Sequence, residues 1–482
     1  MPEAPRLISL PYLRDSALWF MQVRHLPRAV WLDSGHPGSH YGRYDIISAA
    51  PQCWLETQGE YTYIHCNDGD QKQSPEDPFA LIKQYLPTCS QQQTKTEPLP
   101  FIGGALGYFG YDLGRRLEKI PAYAEADIGL ADMQVGIYPW ALVQDHGNKQ
   151  SWLVINEHLS HALPGAYNFL EIEQLLAKTP DPDVFHDLKS FLNHSEKPFK
   201  ISKFNNNLKV NEYHSALARI HDYILAGDCY QVNFAQRFEA EFQGDPWFAY
   251  LALRAILPSP FSGFIQLTEQ ALLSLSPERF IEVRGSAVET KPIKGTIKRG
   301  KTADEDQANA KWLQTSEKNR AENVMIVDLL RNDLSKHCVS VSVPALFELQ
   351  SFANVHHLVS TITGQLAPST CAIDVLRDAF PGGSITGAPK IRAMEIIEEL
   401  EPTRRSVYCG SLGYISVDGQ LDTSIAIRTL VCDHQKVYCW GGGGIVADSE
   451  TEQEYRESIG KVKILMDTLE QYFGQPDLTP HV

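Results

Sequence analysis

Lys294 stands in KPIKGTIKRG, residues 291–300, a basic run in a chain whose formal net charge is −16. A lysine in such a run belongs to a solvated face, to a cradle for an anion, or to a site that lowers its pKa until the amine becomes a nucleophile. Glu278, in SPERF sixteen residues earlier, is the carboxylate best placed to answer it. SLSPERFIEV and SAVETKPIKGT read as a hairpin around Arg284, Gly285 and Ser286. A turn centred near Gly285 predicts Glu278 opposite Pro292, with Lys294 its diagonal neighbour on the same face, about 7–8 Å away by Cα. A slip of one residue would send the two side chains to opposite faces.

Further groups of chemical interest lie downstream. EKNRAENVMIVDLLRNDL, at 317–334, reads as a helix with Ala321, Met325 and Leu329 at fours and Val324 and Leu330 flanking them, leaving Glu322 at the edge of an apolar face. SETEQEYRESIGKVKILMDTL sets Glu454 and Glu457 three apart on a helix surface, with Lys461 one turn on. Each cluster alone reads as a solvated face or an i,i+4 ion pair. Together they would suit Mg²⁺, which takes one or two carboxylates plus waters and an anionic ligand. His357, beside Leu358 and Val359, reads as a half-buried histidine with its bonds satisfied. Arg428 ends the strand-like TSIAIR, whose alternation aims it somewhere enclosed, and an enclosed guanidinium asks for a planar anion such as a carboxylate. Ser384 and Thr386, followed by Pro389 and IRAMEIIEEL, read as a helix start with free amides. Nucleotide motifs fail: Ala388 and Pro389 follow Gly387 where a P-loop needs Lys and Ser or Thr, and Val446 replaces the third glycine of a dinucleotide fingerprint.

The elements that must hold these groups change character along the chain. Short β-rich runs (YTYIHC, SWLVIN) and the Gly-rich FIGGALGYFGYDLGRRLE fill the first part. Beyond about Val210, amphipathic helices such as NEYHSALARIHDYILAG alternate with strands, an α+β pattern without regular βαβ repeats. Polar stretches at 87–100 and about 179–207 read as loops or linkers, giving a sheet-rich half at 1–190 and a catalytic region at 200–475. The composition, 43% apolar and 21% charged, is that of a globular chain, and its acidity argues against nucleic acid as a partner. The N-terminus does not read as a signal peptide and no apolar run reaches 18 residues, so the expectation is a cytoplasmic protein with no membrane partner. The nine cysteines are scattered and never spaced CxxC, which predicts reduced thiols and neither zinc nor a disulfide framework.

GDCYQVNFAQRF, SPERF, KPIKGTIKRG, RAENVMIVDLLRNDL, HLVSTITG, PGGSITGAPKIRAMEIIEE, GSLGYISVDGQLDTSIAIRTL and GGGGIVADSETEQEYRES follow one another in order. With GRYDII and GGALGYFGYDLGR upstream, this series resembles the chorismate-utilising enzymes over nearly the whole chain. The resemblance implies an α+β fold of two facing, roughly orthogonal antiparallel β-sheets with surrounding helices, and chorismate and Mg²⁺ between the halves. It makes Glu322 and Glu457 the metal carboxylates with Glu454 close by. It makes Tyr408 and Arg428 the holders of a substrate carboxylate, helped by Gly444 and Lys461, with His357 and Ser384 or Thr386 along the ring. Asn319 departs from the family's usual acid three residues before Glu322, removing a charge near the metal. Ser34 in LDSG, with GRYDII, resembles the lining of a tryptophan pocket found in relatives.

Glu278 resembles the family's general acid and base, a role that asks for a raised carboxyl pKa. Anthranilate-forming relatives carry Ala in PIAGT where this chain has Lys294. With lysine there, the resemblance implies that the ε-amine attacks C2 as C4 loses hydroxide, after which ammonia enters C4 and expels the lysine. Burial and the nearby Lys291, Lys298 and Arg299 are then expected to lower the amine's pKa. A structural lysine that only attracts a dianionic substrate is the competing reading. No glutaminase nucleophile region is apparent, so ammonia is expected from a separate glutamine amidotransferase subunit, giving 4-amino-4-deoxychorismate for 4-aminobenzoate and folate. Rival readings are an anthranilate- or isochorismate-forming enzyme of the same family, and a non-catalytic chorismate-binding regulatory protein.

Overall fold

Alternation along the strands decides the architecture. In the strands Val30–Asp33 and Tyr44–Ser48, Val30 and Ile46 are buried in one apolar cluster while their neighbours Trp31 and Ile47 are buried in another. Strands Trp140–Asp145 and Gln270–Ser276 split the same way: Ala141, Val143 and Leu272 face one side, Leu142, Ala271 and Leu273 the other. A sheet apolar on both faces must be covered on both. The computed structural model, which describes residues 4–39, 42–86, 99–181, 197–351 and 355–475, shows how.

Among the described residues, thirteen strands form one sheet and twelve the other. Their inner faces meet in one core, where Val30, Ile46, Val143 and Leu272 of the first sheet join Leu55, Leu106, Val135 and Ile281 of the second. The outer face of the first sheet is covered by helices Ala17–Val23, Pro246–Ile256 and Thr451–Phe473, through residues such as Phe20, Trp247, Tyr250 and Leu469. The expected pair of facing antiparallel sheets with surrounding helices is therefore what the chain builds. Both sheets draw strands from both sides of residue 190: Val30–Asp33 pairs with Phe261–Gln266, and Gly104–Phe109 with Ser411–Ser416. The two polar stretches lie largely outside the described residues. Helix Val210–Ala226 forms where its amphipathic pattern predicts and stops at Gly227, whose φ of 81° is the left-handed cap that glycine adopts without strain. No helix among the described residues is long and apolar enough to cross a membrane.

Three local expectations are corrected. Cys53 and Cys66 form a disulfide, because strands Cys53–Gln58 and Tyr61–Cys66 place them directly opposite each other with Cα atoms 4.2 Å apart. The scattered spacing of the cysteines gave no sign of this register. On helix Glu317–Ser335 the buried stripe is Asn323, Ile326, Val327, Leu330, Asp333 and Leu334, and Val324 is 51% exposed. The helix turns this stripe, with Asn323 accepting a hydrogen bond from Ser360 Oγ at 2.6 Å, toward strand Val355–Leu366. Ser384 and Thr386 do not start a helix either. Ser384 lies in a short 3₁₀ turn, Gly383–Ile385, that Thr386 caps; a two-residue strand, Gly387–Ala388, follows, and helix Lys390–Leu400 begins only after Pro389.

Candidate active site

Glu278 occupies the step between strand Gln270–Ser276 of the first sheet and strand Arg279–Arg284 of the second. It is 6% exposed, and its Oε1 accepts a hydrogen bond from Ser384 Oγ at 3.2 Å. Burial raises its pKa, while Lys294, Ser384, the backbone N–H of Ile293 and Lys461 pull the other way. The hairpin that presents it is one residue out from the expected register: Glu282 pairs with Glu289 and Arg284 with Ala287, so the turn is Gly285–Ser286 and the ladder, extended, sets Glu278 against Ile293. Lys294 nevertheless converges on Glu278, because the ladder does not continue that far. Strand Ile293–Lys298 leaves the hairpin and pairs with Val355–Leu366 instead.

That pairing contains a β-bulge at Lys294–Gly295. Ile293 faces Val359 and Thr296 faces His357, so three steps on one strand match two on the other. Such an extra residue re-aims side chains. Gly295 accommodates it with φ of 88°, and a Cβ there would also lie 2.9 Å from Leu313 Cδ1 and 3.0 Å from Asn319 Cγ. Lys294 Nζ donates to the carbonyl of Ser384 at 2.9 Å. Although Lys294 is only half-buried by residue surface, protein packed around the ammonium lowers its pKa. Glu278 and Glu322 oppose that effect and Lys461 adds to it. The helpful cation is thus Lys461 and not the basic run, whose Lys291 pairs with Glu289 at 2.7 Å and Arg299 with Asp306 at 2.7 Å.

Three carboxylates approach from two helices. Glu457 is held by Lys461 at 2.9 Å, which lowers its pKa. Glu454, 3% exposed, accepts from Ser449 Oγ at 2.7 Å and from Lys318 Nζ at 3.1 Å. The Glu322 carboxylate has neither a hydrogen bond nor an ion pair among the described residues, and burial raises its pKa against the attraction of Lys294 and Lys318. Gly443 lies beneath this group: a Cβ there would come 3.3 Å from Glu454 Oε2, 3.4 Å from Lys461 Nζ and 3.8 Å from Glu457 Oε1. Gly444 does not touch the carboxylates but backs onto the amide of Gln231.

Arg428 is not on a strand. The ladder stops at Ile425 and resumes at Thr429, and Arg428 turns out between them with φ of 50°. Its carbonyl accepts from the Leu275 N–H at 3.0 Å, but its guanidinium has no hydrogen-bond or ion-pair partner among the described residues, and burial alone lowers its pKa. Backbone pairing of Cys409 with Ala426 runs Tyr408 alongside the Arg428 segment, with the Tyr408 ring stacked on Trp440. His357, 4% exposed, bonds through Nδ1 to Thr296 Oγ1 at 2.8 Å. Thr386 supports the loop, donating to the Gly382 carbonyl at 3.0 Å. Ser34 belongs to a separate group in the first part of the chain, where its N–H donates to Asp45 at 2.7 Å and its buried Oγ has no hydrogen-bond partner among the described residues.

Burial and the charge of Arg428 lower the pKa of His357 to about 4. The unfolded chain, with an ordinary imidazole near 6.5, then binds the proton first as pH falls, so stability present above that pH is lost on the way down to about 4. The loss is on the order of 3 kcal/mol. Melting temperatures measured from pH 7 to pH 4.5 should fall less steeply in His357→Gln than in the wild type, and parallel curves would contradict this.

Gln231, Asn233, Lys318 and Arg405 were not singled out from sequence. Gln231 is fully buried with both amide atoms lacking partners among the described residues. Its signal was the alternation in QVNF, where polar residues interleave with Val232 and Phe234 on a strand buried on both faces.

A carboxyl of raised pKa bridged through one serine to an amine of lowered pKa, beside an unpartnered carboxylate, is suited to moving a proton and a bond on an anionic substrate. Comparison with known proteins gives the family. The sequence description of chorismate binding enzymes matches residues 29–467. The chain belongs to the chorismate binding enzymes. Within that family it is 46% identical to aminodeoxychorismate synthase component 1 of Escherichia coli (strain K12), over 97% of this chain and 99% of that one. It is 34% identical to anthranilate synthase component 1 of Acetivibrio thermocellus, over 91% and 90%. The solved anthranilate synthase component I of Streptococcus pneumoniae TIGR4 superposes with a TM-score of 0.74 at 32% identity, covering 89% of this chain and 93% of that one.

Proposed function

We propose that the chain converts chorismate and ammonia to 4-amino-4-deoxychorismate, through a covalent bond between Lys294 Nζ and C2 of the substrate. The observation that carries this reading is the Lys294–Ser384–Glu278 bridge, with a nucleophile at one end and a proton donor at the other. In the first displacement, neutral Lys294 bonds to C2 and both ring double bonds shift, C1=C2 to C1=C6 and C5=C6 to C4=C5. Hydroxide leaves C4 with the Glu278 proton, as water. In the second, ammonia bonds to C4, both double bonds return to their original places, and the C2–N bond breaks. Glu278 accepts the proton released by the incoming ammonia, and the lysine departs as the free amine. Arg428, lacking a protein anion, would receive a substrate carboxylate beside Tyr408.

Mg²⁺ belongs to the proposal. The half-buried, unpartnered Glu322 and the nearby Glu457 are hard oxygen donors of the type this ion takes, leaving positions for waters and a second substrate carboxylate. When bound, it would neutralise that carboxylate and fix the ring. Glu454 is engaged by Lys318 and Ser449 and serves as a neighbour of the pair. The name "component 1" borne by the E. coli relative supports a companion subunit. We take that companion to be a glutamine amidotransferase delivering ammonia, in the cytoplasmic synthesis of 4-aminobenzoate and folate.

The test is to incubate the purified chain with chorismate, Mg²⁺ and ammonium, and to identify the product by mass and absorbance. The expected product is lighter than chorismate by the difference between a hydroxyl and an amino group, and it keeps the enolpyruvyl chain. Anthranilate, isochorismate or an unchanged substrate would each overturn the proposal.

A further inference from the structure

The geometry points to Arg405 as the residue that positions Ser384, and through it the Lys294–Glu278 pair. The role rests on the aminating reading of that pair. Among the described residues, Ser384 is the one that bonds through its own atoms to both side chains, its carbonyl receiving Lys294 and its hydroxyl donating to Glu278. Yet it sits on a connection between helices Ala372–Ala379 and Lys390–Leu400, where a regular ladder does not fix the backbone. What fixes it is a set of bonds to the next carbonyls. The Ile385 carbonyl accepts from Arg405 Nη1 at 3.1 Å and from Asn233 Nδ2 at 2.9 Å, and the Thr386 carbonyl accepts from the Asn233 N–H at 2.8 Å.

Arg405 gathers these contacts into one rigid plane. Its Nη2 donates to the Asn233 carbonyl at 2.6 Å, so the guanidinium clips the Ser384 loop to strand Gln231–Gly244. The remaining edge is taken by Glu401, with Nε to Oε2 at 2.9 Å and Nη2 to Oε1 at 2.6 Å, and Glu401 Oε1 also accepts the N–H of Ala235 at 2.8 Å. The guanidinium carbon lies 4.9 Å from the Tyr111 ring centre and 5.7 Å from that of Tyr408. Arg405 is 1% exposed and Glu401 5%.

Desolvating such a pair is costly, and an apolar pair of similar volume would often fold as well. What an apolar pair would not supply is a planar fork reaching two carbonyls on different elements. Because Tyr408 packs against the same guanidinium, one residue holds the substrate-facing tyrosine, the loop of Ser384 and the strand of Asn233 in common register. Lysine, a point charge on a flexible stem, satisfies at most part of this set.

The test compares full-length Arg405→Lys and Arg405→Ala with the wild type in ammonium-dependent amination of chorismate. For R405K we expect kcat to fall about 10²-fold, while KM for chorismate stays within about 3-fold. In R405A, added guanidinium chloride at low millimolar concentration should restore at least about 10-fold of the lost rate, in step with its occupancy and without a change in melting temperature. A folded R405K of wild-type kcat would overturn the inference. So would an R405A rate that guanidinium leaves unmoved, or one that it restores only by raising the melting temperature. If neither variant folds, Glu401→Gln, which keeps the fork and loosens one anchor, is read by the same split: reduced kcat at constant KM supports the role, wild-type kcat overturns it. A wild-type enzyme that does not aminate chorismate would instead sink the reading of Lys294 and Glu278.

Discussion

Lys294→Ala is expected to lower amination of chorismate at C4 by on the order of 10³-fold or more, with chorismate still bound within about tenfold of the wild-type affinity. The loss follows from removing the group that opens the first displacement, since the neighbouring amines are engaged: Lys461 is tied to Glu457 and to the Gly442 carbonyl at 2.8 Å, and Lys318 to Glu454. Retained binding follows from leaving Arg428 and Tyr408 untouched. The vacated space opens C2, so any residual product should carry its nitrogen there. Steady-state rates, calorimetric binding and product mass separate the outcomes. A variant that forms 4-amino-4-deoxychorismate at an undiminished rate would refute a covalent role and leave only electrostatic attraction for the lysine.

Glu278→Gln is the second large effect, a drop in kcat of about 10²–10⁴-fold. The amide keeps the shape and can still meet Ser384, but it has no acidic proton for the departing hydroxide. Mass spectrometry of E278Q with chorismate should therefore reveal no substrate adduct on Lys294. The pH profile carries the same information. Burial moves the two pKa values toward each other, Glu278 up and Lys294 down, and the attraction between them limits both shifts. The reactive form needs Lys294 neutral, favoured as pH rises through its lowered pKa, and Glu278 protonated, favoured as pH falls through its raised one. That form holds the same number of protons as the ion pair Lys294⁺–Glu278⁻, so the rate should follow a bell whose limbs belong to the coupled pair. In E278Q the acid limb should lose the contribution of the carboxyl. A bell identical to the wild type's would mean that Glu278 does not titrate in the reaction.

The sequence disclosed the chemistry more completely than its placement. Lys294 drew notice through its basic run and Glu278 through its spacing from that lysine, whereas Glu322 and Arg428 are charges set beside apolar neighbours, and the structure leaves the side chains of these last two without a hydrogen bond or ion pair among the described residues. The facing sheets were legible from strand patterns and family motifs. Placement failed where backbone departs from regular periodicity. The hairpin register depends on a two-residue turn, Arg428 on a break in a run that reads as one strand, and Ser384 on a connection that resembles a helix start. Arg405 was hidden for a different reason. Glu401 and Arg405, four apart after a helix, have the pattern of a surface ion pair, and only tertiary packing takes them to 5% and 1% exposure.

The bulge at Lys294–Gly295 reaches beyond the lysine. Residues three apart on a strand normally look in opposite directions, yet Ile293 and Thr296 both look where Val359 and His357 look. The hydroxyl that holds His357 is thus on the correct side only because the strand carries one residue too many. The site is written partly in counting: a deletion at Gly295 would preserve each catalytic group by name while reversing the parity that brings them to one chamber. Along this strand a substitution is therefore expected to be better tolerated than a change of length.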